Sequence, residues 1–181
     1  MRKGLLLGSL LAAVALFVWG FLFWGMPIVQ PIDSGVDGAK AQAALKELLT
    51  HDGVYVVPEP PGQEMTEGWK AMHRQGPIAT IFYRTRGMEP MAPTVFVLGF
   101  VHNLVTCLLI GLLLGKAIPA LPSYGARVGF VVLAGVAATV WGHAGDPIWM
   151  AHPWRFHLLA MGYDFVAWTL AGAILGKFVR S

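Results

Sequence analysis

TVFVLGFVHNLVTCLLIGLLLG, from Thr94 to Gly115, decides the fold. It holds no Lys, Arg, Asp or Glu, and about 20 such residues, at 1.5 Å of helical rise each, cross the roughly 30 Å of hydrocarbon in a bilayer. Inside lipid a chain must satisfy its own backbone N–H and C=O groups, so the stretch predicts a membrane-spanning helix. Two more runs of the same character lie on either side of it: LLLGSLLAAVALFVWGFLFWGM, Leu5 to Met26, and FHLLAMGYDFVAWTLAGAIL, Phe156 to Leu175, where Asp164 is the single charged residue. Val128 to Gly145 is a shorter fourth run that closes on the polar segment WGHAGD. The first run follows Met-Arg-Lys and reads as an uncleaved anchor. Its apolar core exceeds a signal-peptide h-region, and it ends in WGFLFWGMP, not in a small-x-small cleavage site.

Composition agrees. Of 181 residues 56% are hydrophobic and only 13% charged, outside the usual range of water-soluble domains. The single cysteine, Cys107, lies in an apolar run, which excludes a disulfide framework and a thiolate metal cluster. The formal charge of +3 is explained by topology. Of the seven basic residues outside the segment from Pro27 to Ala92, Arg2, Lys3, Lys116, Arg127, Lys177 and Arg180 fall on one side of a four-span arrangement, and Arg155 alone falls on the other. Basic flanks are retained in the cytoplasm, so both termini are expected there. Trp19, Trp24, Trp141, Trp149 and Trp154 fall near the outer interface, where indole rings prefer to sit. No basic surface interleaved with aromatics is present, so nucleic acid is not an expected partner.

The expected architecture is an α-helical membrane protein: a four-transmembrane-helix bundle with a small α+β extracytoplasmic domain inserted between helices 1 and 2. Residues 1–26 form the anchor, 27–92 the extracytoplasmic domain and 93–181 helices 2–4. The middle segment carries eight of the chain's ten acidic residues. It opens on a proline-bounded linker, MPIVQPID. Asp37 then stands as an N-cap before AKAQAALKELL, GVYVVP reads as a strand, Thr66 opens a helix that stops at Gly76-Pro77, and IATIFYR reads as a second strand. A domain this small without disulfides needs support from its own helices, a second copy or a partner.

Function is sought where polarity is expensive. His102 and Asp164 each lie about 13 Å into a span, and Asn103, Thr106, Thr139 and Tyr163 are near them in depth. The expectations are a polar clasp between helices 2 and 4, or a proton or ion pathway. A second group, His143, Asp146, Met150, His152 and His157, surrounds the loop WGHAGDPIWMAHPWRFH at the outer mouth. Imidazole with carboxylate suits zinc, and methionine beside histidine suits copper, with Met88 and Met91 also near; no zinc or copper spacing motif is matched. Paired His102, His143 and His157 on different spans raise haem, against which their unequal depths count. GLLLG (111–115), GARVG (125–129) and GAILG (172–176) predict close helix contact at the cytoplasmic side. The bundle then resembles a cup that opens outward. Nucleophile elbow, HExxH, P-loop and dinucleotide fingerprint are all missing.

GVYVVPEPPG, WKAMHRQGPIATIFYR, FVHNLVTCLL and GYDFVAWTLAGAILG together resemble a family of small bacterial inner-membrane proteins with one anchor, a periplasmic domain and three further transmembrane helices. The resemblance implies that architecture, a bacterial inner membrane, and matching positions at Asn103 and Asp164. IWMAHPWR departs from the aromatic-rich loop of that family, which weakens a role for His152. It implies no reaction. The functional expectation is a non-enzymatic accessory, assembly or structural protein that meets membrane lipids and another membrane protein or a second copy. The alternatives are a small transport or ion-coupled protein using His102 and Asp164, and a haem- or copper-binding protein.

Overall fold

The computed structural model describes residues 2–25, 35–59, 62 and 64–180. The linker MPIVQPID lies outside these residues. Four helices are long and apolar enough to cross a membrane: α1 (Arg2–Gly20, continued by a π-helical turn over Phe21–Gly25), α4 (Pro93–Ala117), α5 (Tyr124–Trp149) and α6 (Trp154–Phe178). Between α1 and α4 come α2 (Gly38–Leu48), β1 (Gly53–Val57), α3 (Glu67–Gln75) and β2 (Ala79–Tyr83), the order the sequence predicts. The third span is longer than its hydropathy suggests, because WGHAGD continues as helix to Trp149.

The helices form a row, α4–α1–α6–α5, with α1 in the middle packed on both α4 and α6. Small residues allow this. Ala12, Ala13 and Ser9 of α1 are fully buried, and the Ser9 hydroxyl donates to the Cys107 carbonyl of α4 at 3.1 Å. A Cβ on Gly111 would lie 2.7 Å from Leu5 Cδ1 and 3.4 Å from Leu175 Cδ2, so three helices converge there. In GAILG, a Cβ on Gly172 would lie 3.1 Å from the Val128 carbonyl oxygen and one on Gly176 3.2 Å from Val128 Cγ2. In GARVG, by contrast, a Cβ on Gly125 or Gly129 would meet nothing within 4 Å beyond its own helix turn. The side of α5 that meets α6 is the stripe Val128, Val131, Gly135, Thr139 at helical spacing, and Gly125 and Gly129 stand off it. The closest approach falls at Gly135, under the indole of Trp168.

The small domain follows from its caps and turns. The Asp37 carboxylate accepts from the amides of Ala39 and Lys40, and the Thr66 hydroxyl accepts from that of Trp69, supplying partners to otherwise orphaned helix-terminal N–H groups. α3 ends on Gly76, whose φ of 70° suits glycine. β1 and β2 pair antiparallel, with Val54 opposite Phe82 and Val56 opposite Thr80. One face of this ribbon is therefore Val54, Val56, Thr80 and Phe82. Below it, the Thr85 amide and hydroxyl both donate to Asp52 Oδ1, at 2.8 and 2.6 Å. These bonds hold the exposed Asp52 carboxyl below its ordinary pKa, assisted by Arg84 and His51.

Candidate functional site

The stripe that packs α5 onto α6 does not end at Thr139. One turn further lies His143 and the next turn brings Asp146 and Pro147, so the face that is apolar at one end of the hairpin becomes polar at the other. On α6, His157, Ala160, Asp164, Ala167 and Ala171 repeat at the matching interval. The connecting residues 150–153 are few, so the two helices are antiparallel neighbours and the polar ends of their stripes meet.

Asp164 is held from α5. Thr139 Oγ1 donates to Asp164 Oδ2 at 3.0 Å, and His143 Nε2 lies 3.3 Å from the same oxygen. Trp168 Nε1 donates to Thr139 Oγ1 at 3.2 Å. The polar contact therefore joins the third and fourth long helices. His102 is exposed and lines a separate groove between α1 and α4 with Asn103. Thr106 is half-buried on α4. Tyr163 belongs to an aromatic cluster, its ring stacked on Trp19 with centroids 6.0 Å apart and its carbonyl accepting from Trp19 Nε1. Trp19 is thus turned inward, whereas Trp141 and Trp149 are 89% and 81% exposed.

The outer group is drawn together more tightly. Asp146, His152 and His157 each bring one ligand atom within 4.8 Å of the others. The local backbone does this. Pro147 sits in the last turn of α5, and Ala151 then adopts φ 55°, a left-handed turn that sends His152 back over the helix end. The His152 amide reaches the Asp146 carbonyl at 3.4 Å. The rings of His152 and His157 lie 29° from parallel with centroids 5.6 Å apart, and His143 is 6.0 Å from His157 on the other side. His157 is only 4% exposed, yet its Nδ1, like His152 Nε2, is buried without a hydrogen-bond partner among the described residues. Buried polar atoms are seldom left so.

Above these residues opens a cavity of about 660 Å³. Its floor is Asp146, His152 and His157 with Met150 and Phe156, and its roof is the ribbon face Val54, Val56 and Phe82 with Ile78. The ribbon face of the small domain and the α5–α6 mouth therefore line one cavity. No family model, curated protein or solved structure matches the chain.

Proposed function

We propose that this chain is a multi-pass accessory protein of the bacterial inner membrane that holds a zinc- or copper-class divalent ion at the periplasmic mouth of its bundle. Orientation is supported by the packing. Gly4 meets Phe178, Gly115 meets Val179 and Gly176 meets Tyr124, so Lys3, Lys116, Arg127, Lys177 and Arg180 gather at one end, opposite the cavity. That end is the cytoplasmic one by the retention of basic flanks, which puts both termini in the cytoplasm and residues 27–92 in the periplasm.

The carrying observation is the pair of orphaned imidazole nitrogens beside a carboxylate. Two histidines and one acid are a complete protein ligand set for an open zinc site, and they also bind copper(II) and iron(II). Ligand atoms around a tetrahedral ion stand roughly 3.3 Å apart when each bond is about 2.0–2.1 Å. Closure from 4.8 Å asks for a movement of about 1.5 Å, available to the exposed side chain of Asp146. Met150 lines the same cavity and adds a soft ligand for copper. Haem is less well served, because His143 spends its Nε2 on Asp164.

The test is calorimetric titration of chelator-stripped protein in detergent with Zn²⁺ and with Cu²⁺. One ion per chain is expected, with at least tenfold weaker binding in His152→Ala and in His157→Ala. Absence of saturable binding of either metal, or equal binding by both variants, would sink the reading.

The hydrogen-bonded string Trp168–Thr139–Asp164–His143 supports a second reading, in which ions or protons move along the α5–α6 seam. It predicts flux in proteoliposomes that Asp164→Asn abolishes while the fold survives. Unchanged flux in that variant rejects it.

A further inference from the structure

His102 and Asn103, set aside by the metal site, lie in a groove of about 400 Å³ between α1 and α4. Its walls are the aromatic rings of Phe17, Phe21, Trp24 and Phe96. Part of one wall is the π-helical turn Phe21–Gly25, a local widening frequent at functional sites. Neither His102 nor Asn103 has a hydrogen-bonding partner among the described residues, and His102 is exposed.

Depth turns this into a question of occupancy. α4 has 25 residues, about 37 Å of helix, so it overhangs a hydrocarbon layer of roughly 30 Å by a few ångströms at each end. His102 follows Pro93 by about 13 Å of rise and lies roughly 10 Å inside the apolar layer. There is no water at that level, and an unsatisfied polar group costs several kcal/mol. Phospholipid phosphate and ester oxygens stay at the edge of the layer and do not reach His102. A ligand that satisfies it must be dissolved in hydrocarbon, carry hydrogen-bond acceptors on its head, and be flat enough to sit among four aromatic rings.

We propose that this groove binds the ring of an isoprenoid quinone, whose two carbonyl oxygens accept from the His102 N–H and the Asn103 amide while the ring stacks on the aromatic walls. The tail leaves along the lipid-facing seam of α1 and α4. The proposal rests on the bilayer crossing argued above and not on the metal site. A second copy or a partner helix is the competing occupant, and the experiment below distinguishes it from a ring head lodged among the aromatic walls.

The experiment titrates ubiquinone-2 into the full chain in lipid nanodiscs and follows quenching of tryptophan fluorescence, to which Trp24 in the groove wall contributes. Saturable quenching is expected, weakened at least tenfold by His102→Leu and by Gly99→Leu. A Cβ at Gly99 meets only the ring edge of Phe17, at 4.0 Å, so a side chain there starts into the groove with no backbone clash, and helix content checks that the fold is kept. Retained helix content in both variants separates this outcome from loss of fold. Quenching that rises linearly with quinone, or is unchanged in His102→Leu, overturns the proposal. So does a disulfide between two copies of a His102→Cys, Cys107→Ser chain, which assigns the groove to a helix interface.

Discussion

Substituting Gly135 by alanine places a methyl group where the Trp168 indole already sits. Two effects oppose. Alanine is the better helix former by about 1 kcal/mol. Against that, a side chain forced into a packed seam costs about 1–3 kcal/mol, and displacing the indole removes the Trp168–Thr139 hydrogen bond, worth about 1 kcal/mol. The clash wins, and the net loss is roughly 1–3 kcal/mol. Gly142 is the internal control, because nothing lies within 4 Å of its Cβ position; there the alanine change is neutral or slightly stabilising. Unfolding in mixed micelles, monitored by helix content against added denaturing detergent, gives both numbers on one scale. Coupling supplies a further check, since Gly135→Ala should cost little in a Trp168→Ala background. If Gly135→Ala and Gly142→Ala unfold together, the α5–α6 seam is not packed as described and the polar string above it loses its foundation.

Ser9→Ala removes a buried bond to the Cys107 carbonyl and should lower stability by about 0.5–1.5 kcal/mol, read in the same titration. Ala151 holds a left-handed φ of 55°, so Ala151→Gly should be neutral or stabilising by up to about 1 kcal/mol, and Ala151→Val should cost about 1–2 kcal/mol and weaken Zn²⁺ binding by moving His152. Asp52 has its pKa lowered by Thr85. Its contribution is therefore complete above the unfolded carboxylate value and lost as pH falls below about 4 through the folded one. Hydrogen exchange of the Thr85 amide should accelerate over that window in the native chain and show no such step in Asp52→Asn.

Element identity was legible in the sequence because it depends on short-range chemistry. The caps at Asp37 and Thr66, the stop at Gly76 and the two strands all announce themselves within a few residues. Partnership was less so. Depth along a helix can be counted, and it placed His102 level with Asp164, but depth says nothing of which helices touch or which way a side chain faces. The missing signals were present: a short loop makes α5 and α6 a hairpin, and Thr139, His143 and Asp146 extend the stripe begun by Val131 and Gly135. The turn at Ala151 was not legible, since alanine rarely adopts the left-handed conformation, and with it went the folding-back of His152. GARVG misled because spacing alone does not say which side of the helix meets its neighbour.

The position of α1 between α4 and α6 bears on biogenesis. It precedes both α4 and α6 in the chain, so both surfaces it will lie against belong to segments synthesised later. Until α4 and α6 have been made, Ser9 and the alanines around it lack the surfaces that bury them. The row is completed only when α6 packs beside α1, so a nascent chain arrested before Trp154 should leave α1 half-covered and open to quality-control proteases.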